Sequence, residues 1–421
     1  MSETKAQISA NGREYSWPAA PLVVICCDGS EPDYMEVAMA DGLMPNLEKI
    51  IGKGENLLAK SVIPSFTNPN NLSIVTGRPP AVHGICGNYL IDPDTGEEVM
   101  MNDPKFLRAP TIFEAFQQAG AKVVVVTAKD KLRLLLGNGL SFGGDNGAVS
   151  FSSEKADQCA PETHGIDGVC EMVGMDVPEV YSAELSEFVF AAGVKLLASH
   201  EPDLMYLSTT DYVQHKYAPG SEGANAFYTM MDRYLGELDE AGATIILTAD
   251  HGMKDKHLAD GSPDVLYLQE TLDQWLGEGE SKVILPITDP YVVHHGALGS
   301  FATVYLNDAS RAGEIAERIG GLDGIHSSVS KAEGCALYEL PEDRMGDLII
   351  VSRDTKVLGT SEAKHDLSGL NEPLRSHGGI TEQVVPIVSN RKLANLPEDL
   401  RNFDAFFIGC NHVAGLAQAA E

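Results

Sequence analysis

The segment TIILTADHGM (Thr244–Met253) sets six apolar or β-branched residues directly before an Asp-His-Gly turn. A short apolar run without alternation marks a strand covered on both faces, as in a parallel sheet. Pro21–Cys27, Ala121–Thr127 and Leu204–Ser208 have the same character, and longer amphipathic stretches separate them. This alternation predicts an α/β fold, a doubly wound, mostly parallel sheet flanked by helices. Asp28 and Asp250 directly follow their strands, and Asp211 follows after Thr209 and Thr210. Ligands in open α/β sheets bind beyond the carboxyl ends of strands, so three strand ends can deliver three carboxylates to one crevice.

From His257 to about Leu370 the pattern changes. Phe301–Leu306, Ala336–Leu340 and Asp347–Val351 read as strands and Ala309–Gly320 as a helix. The expectation is an inserted, smaller α+β cap over 257–372, on a core made of 20–256 plus 373–421. RSHGGITEQVVPIVSN (375–390) returns the chain to the main sheet, with a strand around Val384–Val388. The segment from Gly137 to Gly174 is rich in Gly, Ser and Asp without periodicity and reads as a loop-rich excursion.

The 421 residues, 43% of them hydrophobic, suffice for a large core. With 30 basic and 61 acidic residues the formal charge is -31, which argues against nucleic acid and anionic membranes as partners. A small anionic substrate then needs locally concentrated cations. The first twenty residues lack an apolar core of signal-peptide length and no later stretch approaches a membrane span, so a cytoplasmic protein is expected. Seven dispersed cysteines without a CxxC pair suggest free thiols.

Seven positions carry the chemistry: Asp28, Thr67, Asp211, His215, Asp250, His251 and His377. Such a set can hold two divalent cations beside an alcohol nucleophile. Metals roughly 3.5–4 Å apart clamp the attacking and leaving atoms of an in-line displacement at phosphorus. In VVICCDGSEPDY (23–34) Asp28 is either a ligand or a plain turn residue. Thr67, in PSFTNPNNLSIVTGRPP (64–80), is either a helix N-cap or a nucleophile at a helix N-terminus, where free amides favour an incoming anion. Asn88 is a turn residue or a donor to a phosphoryl oxygen. Asp211 and His215, in TTDYVQHKYAP (209–219), are spaced i,i+4 and so share one face of a helical turn. Adjacent Asp250 and His251 suit two neighbouring metals from an irregular strand end. Nitrogen and oxygen ligands fit zinc, with manganese or iron as alternatives.

Strand-DG, P-S-F-T-N, D-x-x-x-H, A-D-H-G-M and H-G-G-x-T-E-Q-x-x-P occur in that order, each at a strand end or helix start. Together they resemble the alkaline-phosphatase superfamily, in the branch of nucleotide pyrophosphatase/phosphodiesterases, and within it the phosphonoacetate hydrolases. The resemblance implies that Asp211, His215 and His377 hold one zinc, while Asp28, Asp250, His251 and the Thr67 hydroxyl address the other. It also implies that His215 reaches the substrate. A threonine nucleophile fits this branch better than the cofactor-independent phosphoglycerate mutases, which use serine.

The leaving group separates the relatives. Cleavage of phosphonoacetate throws charge onto an enolate-like acetate fragment. In VVVVTAKDKLRLLL (123–136), Lys129 and Lys131 lie two apart past a core strand, on one side of an extended segment. They are either a carboxylate clamp or an ordinary basic loop. A nucleotide phosphodiesterase would instead need an aromatic slot, to which Tyr89, Tyr212 and Tyr217 can contribute. His294 and His295 match no motif and read as structural. The expected activity is hydrolysis of phosphonoacetate to acetate and phosphate through a phosphothreonine. A phosphodiesterase or phosphatase of the same superfamily and a non-catalytic metal-binding module are the alternatives, and a homodimer is left open.

Overall fold

The computed structural model describes residues 7–144, 146–289, 296–368, 370 and 372–414. Four expected strands form where the apolar runs lie: β1 (Leu22–Cys26), β3 (Val123–Thr127), β5 (Leu204–Ser208) and β6 (Thr244–Thr248). With β2 (Glu55–Lys60), β4 (Val149–Ser152) and β11 (Val384–Ser389) they make a seven-stranded sheet in the order β2-β11-β6-β1-β5-β3-β4. The ladders joining β6, β1, β5, β3 and β4 are parallel, and β11 runs antiparallel to both of its neighbours.

Alternate residues of each central strand feed opposite cores. Leu22, Val24 and Cys26 pack on one side, and Val23, Ile25 and Cys27 on the other. Helices α1 (Thr67–Thr76), α2 (Asp130–Leu136) and α8 (Ala405–Asn411) contribute to the first layer. The second is covered by α3 (Glu184–His200) and α5 (Glu222–Glu240). Burying one Val, Leu or Ile side chain stabilises by about 1.5–3 kcal/mol. A central strand with every side chain buried is therefore held far more firmly than its short loops, and can present residues at its end with little play.

The register sets the site. Thr248 pairs with Cys26, Cys26 with Ser208, and Ser208 with Thr127, so four strands end on one row. Beyond that row emerge Asp250, Asp28, Asp211 and Lys129. A separate four-stranded sheet, entirely antiparallel, follows the order β7-β8-β10-β9, from β7 (Ser281–Ile284), β8 (Phe301–Leu306), β9 (Ile325–Ser330) and β10 (Leu348–Ser352). Helix α6 (Ala312–Gly320) lies against it, preceded by a 3-10 turn at Ala309–Arg311.

Three local expectations are corrected. Ala336–Leu340 is not a strand, because Lys331–Tyr338 forms helix α7. A capping box starts it: the Ser330 amide donates to Glu333 (3.1 Å) and the Glu333 amide to the Ser330 hydroxyl (3.4 Å). The segment 137–174 is not merely loop, since it supplies β4 and the short helices Pro161–His164 and Val169–Val173. Lys129 and Lys131 do not share an extended segment: Lys129 is the extended N-cap of α2 and Lys131 lies inside that helix.

All seven cysteines are free thiols. Among the described residues no helix is long and apolar enough to cross a membrane.

Candidate active site

Beyond the common row of strand ends, six of the seven predicted side chains close into one buried cluster, with the seventh at its edge. Asp28, His251 and Asp250 are almost fully buried, as are His215 and His377. His215 Nε2 lies 2.9 Å from Asp211 Oδ2, and His377 Nε2 lies 3.6 Å from the same oxygen. His251 Nε2 is 3.3 Å from Asp28 Oδ1 and 3.8 Å from Asp250 Oδ2. The rings of His251 and His377 stack at 3.7 Å, so the two halves of the cluster touch.

Local sequence explains how the chain reaches these positions. Gly29 turns at a φ of 68°, where an added Cβ would sit 3.0 Å from the Asp211 Cβ. Gly378 has a φ of 116°, and a Cβ there would strike the Phe66 ring at 2.2 Å. Only glycine fits either position. Asp211 and His215 meet because helix α4 (Tyr212–Lys216) begins just after Asp211.

The donor set fits divalent metal. Each histidine sets its Nδ1 against a backbone carbonyl: His215 to Arg375 (2.8 Å), His251 to Gly252 (2.9 Å) and His377 to Ser65 (2.8 Å). A carbonyl only accepts, so this network assigns the proton to Nδ1 and turns an Nε2 lone pair toward the carboxylates, as at metal sites. Asp28 Oδ1 is buried without a hydrogen-bond partner. Ligand atoms of Asp211, His251 and His377 lie within 4.8 Å of one another, and so do those of Asp28, Asp250 and His251. His251 thus sits between the two groups rather than in one alone, and His215 joins the first through Asp211.

Electrostatics agree with this. Burial, and then the neighbouring Asp211 and Asp250, push the Asp28 carboxyl well above its ordinary range. Burial also raises Asp250. Burial works against the Asp211 carboxylate, yet positive charge on His215, His377 and His251 beside it holds it well below the usual value, a charge that a cation bound among neutral imidazoles would supply instead. Burial, with His251 and His215 close by, pushes His377 well below the ordinary imidazole value. Buried carboxylates crowded in this way repel one another, and cations between them relieve it.

Thr67 is not an N-cap. It is the first residue of α1, whose N-cap is Phe66, and its hydroxyl is 3.4 Å from His251 Nε2. The hydroxyl therefore lies at a helix N-terminus, beside His251. Thr67 and Asn88 line a cavity of about 270 Å³ that also contains Asp28, Asp211, His215 and His377. Lys129 and Lys131 also line it, as do Tyr181 and Tyr212. Of the three tyrosines expected to form a base slot, Tyr212 alone faces this cavity among the described residues. His294 and His295 lie outside the described residues. A roomier cavity of about 530 Å³, walled by Tyr267, Leu370 and Leu374, contains none of the titratable cluster and offers no comparable chemistry.

Several residues were not foreseen. Asp289, five residues after β7, sets both carboxylate oxygens 3.1 Å from Lys131 Nζ. Lys129 Nζ sits 5.3 Å from the centre of the Tyr181 ring and donates to the Val180 carbonyl at 3.4 Å. Neither Asp289 nor Tyr181 carries a sequence signal. Buried Arg375 donates to the Gln214 and Met253 carbonyls (3.0 and 3.1 Å) and pairs with Asp255, fixing the backbone on which His215 rests. Its place two residues before His377 was the available hint.

The type I phosphodiesterase / nucleotide pyrophosphatase family model matches residues 22–380. The crystal structure of phosphonoacetate hydrolase from Sinorhizobium meliloti 1021 in complex with phosphonoformate is 63% identical, covers 96% of this chain and 98% of that one, and superposes with a TM-score of 0.94. Its complex with phosphonoacetate gives 0.93. Murine ectonucleotide pyrophosphatase / phosphodiesterase 5, at 17% identity over 92% of this chain and 94% of that one, shares the fold with a TM-score of 0.63. An uncharacterized pyrophosphatase/phosphodiesterase of Schizosaccharomyces pombe is 27% identical over 55% of this chain, a stretch that spans 44% of that protein. The chain thus matches less than half the length of this curated relative.

Proposed function

The chain belongs to the type I phosphodiesterase / nucleotide pyrophosphatase family, and we propose that it is a two-zinc hydrolase that converts phosphonoacetate to acetate and phosphate through a phosphothreonine on Thr67. One observation carries this reading: a single cavity of about 270 Å³ is lined both by Thr67 with Asp28, Asp211, His215 and His377 and by Lys129 and Lys131. That arrangement matches a substrate with phosphonate at one end and carboxylate at the other. The 63% identical hydrolase, described in complex with phosphonoacetate, supports the substrate.

Asp211, His215 and His377 would hold one zinc and Asp28, Asp250 and His251, with the Thr67 hydroxyl, the other. Bound there, the ions supply Lewis-acid charge that eases ionisation of the hydroxyl and neutralises phosphoryl oxygens. Thr67 Oγ1 forms a bond to phosphorus as the P–C bond breaks, and the bonding pair departs on carbon, delocalised into the adjacent carboxylate. Lys129 and Lys131 hold that carboxylate as charge builds on it, while the Asn88 amide donates to a phosphoryl oxygen. His215 lines the same cavity and fits its second part as a substrate contact. Solvent takes the Thr67 proton and returns one to carbon, giving acetate. Water then hydrolyses the phosphothreonine, releases phosphate and restores the hydroxyl. Seven free thiols suit a reducing compartment, and the cytoplasm is the proposed location.

Purified protein given phosphonoacetate is expected to release acetate and inorganic phosphate in equal amounts, to stop on treatment with a chelator, and to resume with zinc. Hydrolysis of nitrophenyl phosphate diesters with phosphonoacetate left untouched would instead assign a phosphodiesterase.

A pH dependence follows from Lys129. Burial lowers its pKa below the ordinary lysine value of 10.5, despite Glu154, Asp211 and Asp289 nearby. The ammonium is the binding form, so the clamp is complete below the lowered pKa and is lost as pH rises through it. The alkaline limb of kcat/KM for phosphonoacetate is expected below 10.5, and Lys129→Arg should move it upward. A limb that Lys129→Arg leaves in place would show that another group sets it.

A further inference from the structure

Asn71 lies one helical turn beyond Thr67 on α1 and is fully buried. Its carboxamide makes four hydrogen bonds. Nδ2 donates to the Thr67 carbonyl and to Asp250 Oδ2, each at 3.1 Å. Oδ1 accepts from the Tyr206 hydroxyl (2.7 Å) and the Ser208 hydroxyl (2.9 Å), both on β5. The amide has one stable orientation: turned over, its oxygen would face a carbonyl and a carboxylate, neither of which has a proton to give. The other Asp250 oxygen, Oδ1, accepts from the Gly29 and His251 amides at 3.2 and 3.0 Å. Asp250 is thereby held in plane from both sides, and Asn71 supplies the hold on the side that faces α1.

We propose that Asn71 is a positioning residue that ties the nucleophile's own turn to the Asp250 carboxylate, so that the Thr67 hydroxyl and the Asp28–Asp250–His251 group keep one separation. Asn71 touches neither substrate nor a reacting atom. It acts through Asp250 and through the Thr67 backbone. Donors behind a ligating carboxylate fix its direction, and their loss typically weakens metal binding roughly 10–100-fold. The inference rests on reading Asp250 as a metal ligand, and its test therefore reads zinc directly.

Asn70 provides a matched control. It is equally buried, donates to the Val62, Pro64 and Phe66 carbonyls, and accepts from the Val62 amide and from Asn402. It bonds to no ligand side chain and not to Thr67. Asn71→Leu and Asn70→Leu should both lower the melting temperature, since each strips a buried hydrogen-bond set. Zinc titrated against a competing chelator distinguishes them. Asn71→Leu should weaken one of two zinc constants by about 10–100-fold, and lower kcat with little change in the KM for phosphonoacetate. Asn70→Leu should leave both constants at the parental level. If Asn71→Leu does not fold, Asn71→Ala carries the same expectation, because the gap can take a water. Unchanged zinc constants in the Asn71 variant, or equal weakening in the Asn70 variant, would overturn the proposal. A parent that takes up fewer than two zinc ions overturns it together with the two-metal reading. A parent that binds two but ignores phosphonoacetate sinks only the substrate, and the titration still decides Asn71.

Discussion

Thr67→Ala is expected to cut phosphate release from phosphonoacetate by at least about 10³-fold, since loss of a nucleophile removes the covalent route entirely. Zinc content should stay near the parental level, because the carboxylate and imidazole ligands all remain. Stability should change little: the N-cap of α1 is Phe66, and the Thr67 side chain makes no capping bond. The hydroxyl's one recorded partner is His251 Nε2 at 3.4 Å, a long contact. A loss of activity with folded, metal-replete protein would therefore speak for chemistry and not for collapse of the site. Acid quenching of the parent during turnover should trap a phosphate on Thr67, visible by mass spectrometry of the peptide that contains it. A Thr67→Ala protein that turns over at the parental rate would refute the covalent route.

The parts of the molecule that the sequence shows well are those governed by local burial. Strands covered on both faces must be apolar throughout, so β1, β5 and β6 can be read almost to the residue, and the Asp or His that follows each is conspicuous. Asp211 with His215 was legible for a similar reason, because one helical turn dictates their meeting. The division of ligands was less so. His251 lies within reach of both candidate ligand groups, since its ring stacks on His377, a residue 126 positions later in the chain that only tertiary folding brings there. Asp289 was invisible because it arrives from a loop whose own sequence has no period and no motif. Ala336–Leu340 misled because its five residues are short enough to suit a strand, whereas Ala336–Tyr338 are the last turn of a helix whose capping box starts at Ser330. Lys129 and Lys131 were rightly paired in space but wrongly in geometry: both line the cavity, one as the cap of α2 and the other from its first turn.

If that pair holds the leaving group as proposed, the double change Lys129→Ala with Lys131→Ala is expected to act by substrate. A hydrogen bond to a charged group contributes about 1.5–3 kcal/mol, so two lost ammoniums correspond to about 10²–10⁴-fold in kcat/KM for phosphonoacetate at about 1.4 kcal/mol per factor of ten. Discounting follows from exposure, since the Lys131 side chain is 38% exposed and partly screened. Part of its charge is also engaged by Asp289 at 3.1 Å, with which the substrate carboxylate must share it. The lower half of the range is therefore the expectation. An aryl phosphodiester loses a phenolate that stabilises its own charge, and its cleavage by the double variant should fall by no more than about tenfold, the scale of one weak contact. The ratio of the two activities, measured on the same preparations, isolates carboxylate recognition from any general damage. Equal losses on both substrates would mean that the lysines hold the fold or the phosphoryl group, and the assignment to a carboxylated phosphonate would fall.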